Sequence, residues 1–228
     1  MSIVDIIFPK NCLGCKKGGQ YLCTQCVQEA RLAKQVCIEC AKPAVDGMVH
    51  VKCKRAWGLS GCLSVWKYQG AIRTTILKLK YKFVYEIAEE LSDHIANFLQ
   101  KEITALPKNC LLTSIPLHRR RTNWRGFNQG EEIGKLIANK MGWKFCSDIL
   151  VRKLLKRPQT ELKGGERRKN IRGVFSLNPK FGKTQLLSTN YQLLLFDDVL
   201  TTGATMIEAT KVLKRNGAKN VWGLTIAK

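Results

Sequence analysis

Leu193-Leu194-Leu195-Phe196-Asp197-Asp198-Val199-Leu200-Thr201-Thr202-Gly203-Ala204-Thr205 is the stretch that decides the fold. Its apolar run fits a central strand of a parallel sheet, covered on both faces. The two aspartates then stand at the carboxyl end of that strand, where open α/β sheets place their ligands. Thr201, Thr202, Gly203, Ala204 and Thr205 can wrap a phosphate with backbone N–H groups and hydroxyls at the start of a following helix. Paired carboxylates repel that phosphate but suit ribose hydroxyls and a hydrated Mg²⁺. A phosphorylated ribose satisfies all of these groups together. The plain alternative is a strand–turn–helix with two acids at a solvated edge.

Working outward, strands alternate with helices. Leu59–Tyr68 alternates enough for a strand, and Ala71–Leu79 reads as a short helix ending in Lys78-Leu79-Lys80-Tyr81-Lys82. Ile87, Leu91, Ile95, Phe98 and Leu99 share one helical face, with His94 on or beside it. Leu111–Ile115 is a strand stopped by Pro116, Gln129–Met141 a helix stopped by Gly142, and Trp143–Val151 an edge strand. Phe175 and Leu177 start a short strand; a helix over Thr205–Arg215 and a last strand over Val221–Ala227 close the chain. This alternation predicts an α/β fold with a parallel sheet. Residues 1–58 are rich in cysteine and turns, which places a small module ahead of a domain over residues 59–228.

The 228 residues hold one core domain and an appendage, and 45% hydrophobic with 25% charged residues describes a globular chain. No run approaches a membrane span. Met1–Pro9 is short, carries Asp5 and lacks a basic leader, so it reads as a packed helix and not a signal peptide. A cytoplasmic location is expected. The net charge is +22, and from Pro116 to Gly173 sixteen Lys or Arg face five Asp or Glu, leaving +11 there. Such a field recruits nucleic acid or a pyrophosphorylated small molecule, although a solvated basic surface needs neither.

Ten cysteines in a reducing compartment point to metal. Cys12-x-x-Cys15 and Cys23-x-x-Cys26 form two knuckles whose four thiolates suit a closed, structural zinc tetrahedron, the alternatives being a redox Cys-x-x-Cys or an iron–sulfur site. Cys37-x-x-Cys40 followed by His50-x-x-Cys53 offers a second, Cys₃His site, with Ala56 where a fourth cysteine would complete another knuckle. An interleaved site of Cys12, Cys15, Cys37 and Cys40 uses the same ligand types. Cys62, Cys110 and Cys146 sit in apolar surroundings and read as core residues.

The Leu193–Thr205 stretch resembles the phosphoribosyl pyrophosphate (PRPP) signature of type I phosphoribosyltransferases. Tyr68-x-Gly70 with Leu77–Tyr81, Ile115-Pro116-Leu117 with Arg125-Gly126-Phe127-Asn128-Gln129, and Gln159 through Arg167-x-x-Asn170 to Gly173-x-Phe175 extend the likeness. With the cysteine module in front, the chain resembles the competence protein F family over nearly its whole length. That resemblance implies a type I phosphoribosyltransferase-like domain behind an N-terminal zinc ribbon, acting in uptake of transforming DNA on the cytoplasmic side. It implies PRPP with Mg²⁺ as ligand, single-stranded DNA as partner, and other competence-machinery proteins such as a helicase.

Carried over, Asp197 and Asp198 would hold the ribose hydroxyls, directly or through Mg²⁺, and Thr201–Thr205 the 5′-phosphate. Arg125, or Arg119–Arg121, would face the pyrophosphate, for which guanidinium groups suit bidentate pairing. Asn128 and Gln129 add neutral donors, though Asn128 also suits a helix cap. Arg167 and Arg168 beside Gly164-Gly165 fit a closing lid or, with Arg119, Arg120 and Arg121, a nucleic-acid backbone site in which Trp124 and Phe127 stack on bases. A phosphoribosyltransferase moving ribose 5-phosphate to a nitrogen acceptor remains the alternative, with no acceptor site legible.

Overall fold

The computed structural model describes residues 9–81, 85–106, 109–117, 127–153, 171–181 and 191–228. The expectations for Met1–Phe8, Arg119–Arg121, Trp124, Arg125, Gly126, Gly164, Gly165, Arg167 and Arg168 lie outside the described residues.

Among the described residues, the chain contributes a short helix α1 (Thr24–Gln28), then β1 (Gly61–Trp66), α2 (Gly70–Tyr81), α3 (Tyr85–Glu102), β2 (Cys110–Ser114), α4 (Gln129–Met141) and β3 (Lys144–Phe145). β4 (Leu150–Arg152), β5 (Phe175–Leu177), β6 (Gln192–Val199), α5 (Ala204–Arg215) and β7 (Val221–Ala227) follow. Five strands form one parallel sheet in the order β1-β7-β6-β2-β3. The fold class read from the alternation therefore holds. β6 lies at the centre because both faces of its apolar run are covered. Leu194 and Phe196 point into a core with α2, α3 and α4, while Leu193 and Leu195 point into a second core with α5 and the β4–β5 ribbon. This is the period of two expected of a strand.

Two local expectations needed correction. β1 is a strand but its burial does not alternate: all six of its residues are buried, because Leu63 and Val65 face one core and Cys62 the other, and the cysteine-rich segment covers what would be a bare edge. Ala33 N–H donates to the Val65 carbonyl at 3.0 Å. The Gln35 amide donates to the Ser64 carbonyl at 2.7 Å and accepts from Ser64 N–H at 3.3 Å, so a side chain completes the ladder. The run Trp143–Val151 is not one strand. It splits into β3, which pairs with β2, and β4, which pairs antiparallel with β5.

α4 begins where expected because Asn128 accepts from Gly130 N–H at 3.1 Å, with Glu131 and Glu132 in the first turn. Gly142 ends it at φ 67°, a left-handed position costly for other residues. No helix among the described residues is long and apolar enough to cross a membrane.

Candidate functional site

β6 delivers Asp197 and Asp198 to the carboxyl edge of the sheet, half-buried, and the chain then turns through Thr201 and Thr202 into α5. Gly203 caps α5 at φ 72°, and Thr202 Oγ1 accepts from Ala204 N–H at 3.4 Å. The loop therefore presents backbone N–H groups at a helix start, as an anion site requires. Asp197 Oδ1 accepts from Asp198 N–H at 2.8 Å. Burial and the neighbouring Asp198 charge push the Asp197 carboxyl up to about 7, against the backbone N–H of Asp198, Lys80 and Arg152.

Two residues complete this arrangement, one of them, Lys80, without an individual role in the sequence reading. Lys80, near the end of α2, places Nζ 2.8 Å from Asp198 Oδ2, and Gln129 Nε2 donates to the same oxygen at 3.3 Å. Lys80 lay inside the quoted lysine segment, but an alternating Lys-Leu-Lys pattern does not say which lysine faces inward. The neutral donor expected of Gln129 is aimed at the acidic pair. Arg152, on β4, stacks over the Phe175 ring at 5.5 Å. A third unforeseen neighbour is Ile38. A Cβ placed on Gly203 would lie 2.8 Å from Ile38 Cγ1, so the second cysteine knuckle packs directly on the loop that enters α5.

The cysteines gather into two separate clusters. The ligand atoms of Cys12, Cys15, Cys23 and Cys26 lie within 4.8 Å of one another, and so do those of Cys37, Cys40, His50 and Cys53. The interleaved arrangement of Cys12, Cys15, Cys37 and Cys40 is not adopted. Sulfur separations of 3.6 Å for Cys12–Cys23 and 3.7 Å for Cys15–Cys23 match the roughly 3.8 Å edge of a tetrahedron with zinc–sulfur bonds of about 2.3 Å. Burial raises the Cys12 thiol, but N–H groups of Cys23, Cys15 and Gly14 outweigh it and bring it down to about 6. Cys26 is pushed up to about 12 by burial and by the crowding sulfurs of Cys12, Cys23 and Cys15. Four thiols packed this closely need a cation to ionise together.

In the second cluster Cys40 Sγ lies 3.4 Å from His50 Nδ1. His50 Nε2 is 3.0 Å from the Pro43 carbonyl, which can only accept, so Nε2 carries the proton and Nδ1 is left as the ligand. Both sets fit structural zinc. The first knuckle is seated on α3, where Glu90 Oε2 accepts from Tyr21 and Leu22 N–H at 2.9 and 2.8 Å. His94 Nε2 reaches the Leu22 carbonyl at 3.2 Å, a packing role. Cys62 and Cys110 are buried in the core, each pushed up to about 12 by burial, while Cys146 is half-buried beside Asp148.

Residues 3–54 match the double zinc ribbon domain family. Over most of its length the chain is similar to the DNA utilization protein YhgH of Salmonella typhi, 28% identical over 208 residues, covering 88% of this chain and 87% of that protein. It is similar as well to competence protein F of Haemophilus influenzae, 27% identical over 224 residues, 95% of this chain and 90% of that one. The chain is a relative of YhgH and competence protein F. Among solved structures, the allosteric regulatory enzyme of purine biosynthesis overlaps 66% of this chain, which spans 30% of that enzyme, at TM-score 0.42 and 13% identity. A hypoxanthine phosphoribosyltransferase of Staphylococcus aureus overlaps 66% of this chain and 69% of its own at TM-score 0.37 and 12% identity.

Proposed function

We propose that this protein binds PRPP with Mg²⁺ at the carboxyl edge of its sheet and handles single-stranded DNA on the cytoplasmic side during DNA uptake. The observation that carries the reading is the acidic pair at the end of β6, followed by a loop that enters α5 through a left-handed glycine. Asp197 and Asp198 would hold the ribose hydroxyls, directly or through Mg²⁺. Thr201, Thr202, Gly203, Ala204 and Thr205 would take the 5′-phosphate. Two half-buried carboxylates are hard oxygen donors of the kind Mg²⁺ accepts, and it would neutralise part of the pyrophosphate charge. Lys80 pairs with Asp198 at 2.8 Å and brings a cation to the edge where pyrophosphate would lie. Arg125 and Arg119–Arg121, which follow β2 in sequence, would add guanidinium contacts. The likeness to a DNA utilization protein and to competence protein F supports the DNA-handling half of the reading, and a helicase of the same machinery would be a partner in it.

The test is calorimetry with PRPP and Mg²⁺ on the wild type and on Asp197→Asn combined with Asp198→Asn. Heat of binding that the double variant abolishes supports the pocket, and equal affinity in the two proteins ends it. Pyrophosphate release across a panel of bases and amines separates turnover from binding alone. PRPP chemistry needs mostly positioning and stabilisation of the leaving group, and these residues supply both.

A further inference from the structure

The second zinc cluster continues into a segment that the PRPP reading does not use. Cys53 is followed by Lys54, Arg55, Ala56 and Trp57, with Lys52 just before it. Trp57 is 47% exposed although it is the largest apolar side chain in the segment, and Val51 is 81% exposed. Lys52 and Lys54 are exposed too. Turns fix the backbone here: Cys53 N–H donates to the His50 carbonyl at 2.8 Å and Gly58 N–H to the Arg55 carbonyl at 3.0 Å. Arg55 is braced by Glu39 at 2.8 Å. Between Cys53 and the start of β1, the Trp57 indole therefore keeps nearly half of its surface open to solvent.

Beside this segment opens a cavity of about 710 Å³, lined by Met48, Val51 and Trp222 together with Lys54, Arg55 and Lys214. Among the described residues, none that lines it is acidic. Ser60, Gln192 and Asn220, which also line it, stand at the amino ends of β1, β6 and β7. The surface is therefore at the other end of the sheet from Asp197, and both can be filled together.

We propose that Lys52, Lys54 and Trp57, with the adjoining basic cavity, form a binding site for single-stranded DNA on the second zinc ribbon. Cations beside an exposed aromatic are what an unpaired strand requires: phosphates for the lysines, a base face for the indole. A duplex keeps its bases stacked on one another and offers none to Trp57. A second copy of the chain is a poor occupant, because +22 repels itself. An acidic peptide meets the lysines but gives the indole no flat partner, which favours the nucleic acid. The metal holds this segment in place beforehand, so little ordering cost remains on binding. The proposal rests on the DNA-handling half of the proposed function and locates it.

The experiment uses the full chain with its zinc and a labelled oligothymidylate of about twenty nucleotides, followed by fluorescence anisotropy across a salt series. Trp57→Ala should weaken binding roughly 5- to 150-fold, and Trp57→Phe should restore part of it. Lys52→Glu with Lys54→Glu should lower the salt slope by about 1.4, or 0.7 for each lost phosphate contact. Unchanged zinc content in each variant shows that the ribbon is intact. Full affinity in all three variants would overturn this site and leave the DNA reading standing, whereas no binding by the wild type would overturn both. Polyglutamate displacing the oligonucleotide at matched charge, with the same dependence on Trp57, would replace the proposal with an acidic-peptide site.

Discussion

The two cysteine clusters use similar ligands for different ends. The first, Cys12, Cys15, Cys23 and Cys26, sits on α3 through Glu90 and His94. The second, Cys37, Cys40, His50 and Cys53, lies between β1, whose open edge its flanking residues close, and the loop that enters α5. A metal in the first holds a small knuckle against a helix. A metal in the second also fixes Ile38 over Gly203. The difference shows that a structural site becomes relevant to function through what its knuckle touches, whatever its ligands.

Removing either metal should have the largest effect. Elemental analysis should find two zinc ions per chain, and Cys23→Ser or Cys37→Ser should each leave one. Structural zinc contributes on the order of 10–16 kcal/mol to small ribbons, so each loss should unfold its own knuckle. The comparison predicts that only Cys37→Ser also weakens PRPP binding, by roughly 5- to 150-fold in calorimetry. Equal losses in both variants would erase the distinction. A smaller effect comes from Gly203→Ala, which forces a side chain into the left-handed region and against Ile38. Urea unfolding should show a cost of about 1–3 kcal/mol. Adding Ile38→Ala should return the part due to the clash and leave the backbone part.

The mildest prediction concerns pH. Folding raises the Asp197 carboxyl from 3.8 to about 7. Between those values the folded protein holds a proton that the unfolded chain has released, so stability falls as pH rises through that window and levels off above it. Asp197→Asn should remove this slope. In metal-free buffer its melting temperature should match the wild type near pH 4 and exceed it by several degrees at pH 8. A wild-type curve without that decline would mean that Lys80 and Arg152 hold the carboxyl ionised more strongly than burial opposes it.

Much of this was legible in the sequence because the patterns were local. The apolar run of β6, the acidic pair after it, the Gly142 stop and the paired Cys-x-x-Cys knuckles each lie within a few residues and carry their own physics. The contacts that the sequence did not reveal join distant segments. Ile38 meets Gly203, and Lys80 meets Asp198, across gaps that no periodicity reports. β1 is a strand where the sequence places one, but the cover of its edge by Gln35 comes from a segment some thirty residues earlier. The run from Trp143 to Val151 looked continuous, since a two-residue strand and a three-residue strand in different sheets share one composition.

Ile38 resting on Gly203 also bears on how such a protein can change over generations. A ribbon attached by a loose tether can be exchanged for another, or shed, while the sheet behind it goes on unaltered. Here a bulkier side chain at one position would be felt immediately at the other, so the two parts must drift in step. Transplanting the cysteine segment of a distant relative onto this sheet should succeed only when the loop it leans on travels with it.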